Sequence, residues 1–139
     1  MTLDLGGINW LAVVVAAAAS WILGAIWYAA LFGKAWGRLH AFSDEKMQQL
    51  SRRMGVSFAT YFVTDLVLAA GVSLVVGATG AAGIVEGVLL GLVLGVGLSA
   101  AQVLQIYVSV GHPSALYLID AGKGVASVVV VSLILAAWR

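Results

Sequence analysis

Four ionisable side chains stand inside long apolar stretches of this chain: Asp65, Glu86, Asp120 and Lys123. In water they would be unremarkable. Buried in lipid, a charge costs about 2.5–3.5 kcal/mol on insertion scales, so it faces a protein interior and finds a partner. Asp120 and Lys123 are three residues apart and share a helix face. A lysine with acids nearby can close an internal ion-pair network or line a hydrophilic site or path. A Schiff-base lysine with Asp65 as counter-ion is a further chemistry, but four helices with few aromatics near Lys123 make a poor retinal-type pocket. Ser99, in Gly97-Leu98-Ser99-Ala100, could be a nucleophile only with a base in reach, and no histidine lies in the apolar stretches. His40 and His112 are too few and too far apart in sequence for a metal site, and there is no cysteine. No phosphate-binding loop or dinucleotide fingerprint occurs. The expectation is a protein that is not an enzyme and needs no cofactor or metal.

The elements that carry these residues are set by composition. Of 139 residues, 63% are hydrophobic and 9% charged. Soluble domains carry roughly 25% charged residues. A chain this short cannot hide so much apolar surface in a water-soluble core. Disorder requires the opposite balance. The net charge of +1 is no footprint for nucleic acid. The fold class expected is therefore an all-α integral membrane protein. Four stretches reach the roughly 20 residues a bilayer needs: Ile8–Phe32, Val56–Gly77, Ala82–Val110 and Ser114–Trp138. They form one domain over 1–139, an antiparallel bundle of four transmembrane helices. The first stretch is too long for a signal peptide and lacks a positive leader, so it reads as a retained span. Gly77-Ala78-Thr79-Gly80 reads as a tight turn, and Ser114 as the cap of the last helix after Pro113, the single proline.

The long connection, 33–55, opens with Ser43-Asp44-Glu45 and repeats Met47, Leu50 and Met54 at helical spacing. That predicts a short interfacial helix over 44–54. The same connection holds Lys34, Arg38, Lys46, Arg52 and Arg53, whereas the opposite side offers only Arg139. Positive residues stay cytoplasmic, so both termini are expected outside. Trp27, Tyr28, Phe32, Trp36, Tyr61 and Tyr107 fall where a cytoplasmic aromatic belt belongs, and Trp10 and Trp138 where an external one does.

Depth then groups the polar residues. At 1.5 Å per residue, Asp65 and Lys123 lie roughly 14 Å from the cytoplasmic ends of their helices. Gln102 and Gln105 match the levels of Lys123 and Asp120. Asp65, Gln102, Gln105, Asp120 and Lys123 are thus expected to form one polar layer, with Tyr61 and Thr64 beside it. Gln102 also continues the face of Gly95, seven residues earlier. Glu86 sits near the external end, as a snorkelling acid would. The third helix carries Gly83, Gly87, Gly91, Gly95 and Ser99 at a strict four-residue period. Such a seam lets backbones approach closely. Its partner could be another helix of the chain, Ala16-Ser20-Gly24 of the first included, or a second copy.

Several motifs together resemble a known family. They are Ile8-Asn9-Trp10-Leu11-Ala12, Gly24-Ala25-Ile26-Trp27-Tyr28, Phe32-Gly33-Lys34-Ala35-Trp36 and Phe42-Ser43-Asp44-Glu45-Lys46-Met47. Leu118-Ile119-Asp120-Ala121-Gly122 and Trp138-Arg139 complete the pattern. It resembles domain-of-unknown-function family 1761, small bacterial four-helix membrane proteins. The resemblance implies a bacterial cytoplasmic membrane and a compact four-helix unit, but no activity. The sequence departs from the family pattern at Ala29-Ala30, and at Asp120 and Lys123. Two functions are expected on the residues: a homo-oligomeric channel or transporter for ions or a small polar solute, or an accessory subunit of a larger membrane complex. A lipid-binding role for the basic connection is a third.

Overall fold

The computed structural model describes residues 3–139. The elements are α1 (Trp10–Ile26), α2 (Gly33–Leu39), α3 (Asp44–Arg52), α4 (Met54–Thr79), α5 (Gly83–Leu94), α6 (Ala101–Val110) and α7 (Ser114–Ala137). Two π-helical turns interrupt them. One, Trp27–Leu31, continues α1; the other, Gly95–Ala100, joins α5 to α6 without a break. Four spans result, Trp10–Leu31, Met54–Thr79, Gly83–Val110 and Ser114–Ala137, each long and apolar enough to cross a membrane. The chain is a multi-pass membrane protein. Side chains such as Val63, Val67, Val85, Leu89, Val93 and Leu118 point outward, which suits lipid and not water.

Local chemistry sets the boundaries. Asn9 Oδ1 accepts from Ala12 N at 3.1 Å and starts α1. Ser43 Oγ accepts from Lys46 N at 3.1 Å and starts α3, which ends at Arg52, two residues before its expected limit. Three expectations are corrected. The helix α2 was not foreseen inside the connection. Residues 77–79 are not a turn: α4 runs through Thr79 and stops at Gly80, whose φ of 75° suits glycine. Ser114 is the first helical residue rather than the cap, a position held by Pro113.

The last span, α7, is the hub of the bundle. It contributes nine buried residues, against five from α1 and four from α4, and packs on all three other spans. The glycine face of α5 meets it within the same chain. A Cβ on Gly87 would lie 2.8 Å from Leu133 Cα, one on Gly91 2.5 Å from Val129 Cα, and one on Gly95 3.1 Å from Val125 Cα. Each step of four along α5 is a step of four back along α7, an antiparallel register. The register ends at the π-turn: Ser99 Oγ stands 2.8 Å from where a Cβ of Gly124 would be, one residue back from Val125 and not four. Gly83 is not part of the contact; nothing lies near it, and its φ is 81°.

The apolar core fills one half of the bundle. Ala12, Val13, Ala16 and Ala17 of α1 pack with Ala69, Val72 and Val76 of α4 and Val131, Leu135 and Ala136 of α7. All lie in the half away from α2 and α3. The other half is where the polar side chains collect.

Candidate functional site

Asp120 lies six residues into α7, roughly 9 Å from its start on the side of the basic connection. Its carboxylate accepts three hydrogen bonds from three elements. Tyr28 Oη donates to Oδ1, Tyr107 Oη donates to Oδ2, and Trp36 Nε1 approaches Oδ2 at 3.4 Å. Three donors and no acceptor suit a carboxylate. Each donor is brought in by a local feature. The π-turn adds a residue to the first span, with Phe32 N bonding Trp27 O at 2.8 Å. That rotates Trp27 and Tyr28 onto α7, where Trp27 Nε1 donates to Ile119 O at 3.0 Å. Gly33 permits the exit from this turn, since a Cβ there would sit 1.9 Å from Tyr28 O. α2 then folds back and presents Trp36. In the third span, the second π-turn leaves Ala100 O to accept from Tyr117 Oη at 3.0 Å.

An aromatic and histidine cluster closes the mouth. His40 stacks on Phe42 (centroids 4.6 Å, planes 11° apart) and meets Trp36 and His112 edge-on. Its Nε2 is buried and unpartnered among the described residues. Burial lowers its pKa from the usual 6.5; the Asp120 charge pulls it up and His112 pushes it down.

Deeper in, Lys123 is half-buried and lies against Gly24 of α1. A Cβ on Gly24 would be 3.1 Å from Lys123 Cε and 3.7 Å from Nζ. Deeper still, Ser20 Oγ donates to Asp65 Oδ1 at 2.9 Å. Both are buried, at 0% and 6% exposure. With Gly24 opposite Lys123, one more turn along each antiparallel helix sets Ser20 level with Ser127. The Ser127 hydroxyl is buried and unpartnered among the described residues. The interior thus carries polar groups at successive turns: Asp120, Lys123, then Ser20, Asp65 and Ser127. Beyond them stand Val13, Val72 and Val131, each at most 5% exposed.

The family described as "Protein of unknown function (DUF1761)" matches residues 11–136. The chain belongs to that family. No curated protein and no solved structure matches it. The family description names no activity for this DUF1761 member.

Where the sequence reading expects one polar layer, the polar residues stand at successive turns and have other partners. Asp65, Asp120 and Lys123 line the interior. No direct ion pair joins them: the carboxylates take Ser20, Tyr28, Trp36 and Tyr107 instead. Gln102 and Gln105 are exposed on the outer face of the third span. Depth was matched, but the π-turn at Gly95–Ala100 shifts the helical phase, so Gln102 no longer shares the face of Gly95. Thr64 and Tyr61 are also exposed, with Thr64 Oγ1 bonded to Tyr61 O. Glu86 accepts from Ala82 N at 2.8 Å and caps its own helix. Tyr28, Trp36 and Tyr107 leave the expected belt and turn inward. The basic residues Lys34, Arg38, Lys46, Arg52 and Arg53 are all exposed on the connection.

Proposed function

We propose that this chain is a small, non-catalytic transport protein of the bacterial cytoplasmic membrane. It works as a homo-oligomer, and an ion or small polar solute enters its polar half from the side of α2 and α3. The observation that carries the reading is Lys123. It is half-buried between spans, and the carboxylates of the same interior are occupied by hydroxyl and indole donors. A lysine kept only to fix helix register would rest on one of those acids. This one packs against Gly24 and leaves its ammonium free of those acids. The valines beyond Asp65 close the far half, which fits a binding site open to one side at a time rather than an open pore. The five basic residues of the connection support a cytoplasmic position for that open side.

The test is flux. Purified protein in liposomes should speed the loss of a chloride gradient, a proton gradient or a glycerol gradient relative to empty vesicles. Lys123→Met should return that rate to the empty-vesicle value. Wild-type vesicles as tight as empty ones to all three would overturn the reading. The accessory-subunit reading would then take its place. It is favoured by α3, which buries no residue and offers a free charged surface for a larger partner.

A further inference from the structure

At the end of the bundle far from Asp120, two opposite charges line one cavity. Its volume is about 240 Å³, and Asp4, Gly7, Ile8, Ser73, Gly77 and Arg139 are among its walls. A water needs only about 10–15 Å³ of such space, so a group many times larger fits. Asp4 Oδ1 accepts from Gly6 N at 3.0 Å, and Arg139 Nη1 donates to Val76 O at 3.0 Å. Each charge is thus fixed by backbone and not by the other. Arg139 keeps most of its five N–H donors for a ligand. The glycines keep the space clear. A side chain on Gly7 would meet Asp4 Oδ2 at 2.7 Å, and Gly77 has nothing within 4 Å. A fixed cation and a fixed anion on one cavity suit a zwitterion.

The depth of the cavity names its source. Arg139 directly follows Trp138, and Asp4 and Gly7 stand six and three residues before Trp10. Both tryptophans are exposed, at 46% and 60%. Exposed tryptophans at span ends sit at the level of lipid headgroups. We propose that this cavity binds the headgroup of phosphatidylethanolamine. Arg139 takes the phosphate through its forked donors. Asp4 takes the ammonium, which has three N–H donors. Ser73 adds a hydroxyl to the same cavity wall. Phosphatidylcholine has no N–H to offer Asp4, and phosphatidylglycerol has no cation. The assignment is independent of the transport reading.

Native mass spectrometry of the full chain from mild detergent tests it, with the three lipids added in equal amounts. Wild type should retain phosphatidylethanolamine over the other two. Asp4→Asn should remove the preference over phosphatidylglycerol, and Arg139→Gln should weaken retention about tenfold, as loss of a charge-assisted contact does. Both side chains are exposed, so the variants should melt like wild type; Arg139→Lys should rescue in part. Equal retention of the three lipids by wild type, or variants that keep its preference, would overturn the proposal. Free phosphoethanolamine should displace no lipid at equal concentration. Displacement would overturn the lipid as the source.

Discussion

Asp120 shows how little a charge reveals of its partners. Its place in an apolar stretch marks it as buried, yet its three donors lie 92, 84 and 13 residues away in sequence. A hydrogen bond to a charged group contributes about 1.5–3 kcal/mol. Tyr107→Phe and Tyr28→Phe should therefore each lower the thermal stability of the detergent-solubilised protein by about that amount. If neither changes the melting temperature, Asp120 is held by something else. His40 adds a pH dependence whose sign is fixed by its depressed pKa. Its contribution is fully present above the unfolded value of 6.5. Below it, the unfolded chain binds the proton more readily, and stability falls as pH drops toward the folded pKa. Melting curves across that range should show the loss, and His40→Asn should flatten it. The residue types were legible in the sequence, as was the separation of acids and lysine from the apolar core. Their pairing was not, because depth gives a level in the membrane but no direction around a helix.

Helix phase supplies that missing direction, and the two π-turns reset it. The four-residue glycine period on α5 was legible because nothing interrupts it before Gly95. Past that point one extra residue per turn moves Gln102 from the packed face to the outer one. A regular period cannot forecast such an insertion, although Gly95 and Gly97 mark where the backbone tolerates it. The same logic holds at Gly33, where the chain leaves the first π-turn. Gly33→Ala puts a methyl on the Tyr28 carbonyl, and backbone cannot yield as a side chain can. The turn should rearrange and withdraw Tyr28 from Asp120. The variant should then lose stability, and adding Tyr28→Phe should cost little more. Full additivity of the two changes would show that Gly33 does not act through the turn. On the seam, Gly91→Leu meets Val129 Cα and Val128 O. Overpacking costs about 1–3 kcal/mol or more, and here the whole α5–α7 contact is at stake. A variant that kept its native mass and melting point would show that the contact is dispensable.

Composition fixes the whole molecule as a membrane bundle before any residue is considered, but it says nothing of how many copies meet. The glycine seam, the obvious candidate for an interface, is used up within the chain by α7. What remains outside is a polar stripe. Gln102, Gln105 and Ser109 are exposed on one face of the third span. Ser109 is satisfied by Gln105 O at 2.8 Å, whereas the two side-chain amides are offered outward. Gln102 lies eight residues from the end of the span, roughly 12 Å into it. An unsatisfied polar group in hydrocarbon costs several kcal/mol, and amides bonded across helices relieve it. A second copy presenting the same stripe offers donors and acceptors in equal number. The expected mass of the protein in mild detergent is therefore a multiple of the 14.3 kDa chain, after subtraction of bound detergent. Gln102→Leu with Gln105→Leu should return it to one chain without unfolding it, since neither amide packs inside. Gln102→Leu alone should leave a mixture. A wild-type chain that is single both in detergent and when counted in a bilayer would remove the homo-oligomer. The two amides would then belong against a different membrane protein, and the accessory-subunit reading would gain what the transport reading lost.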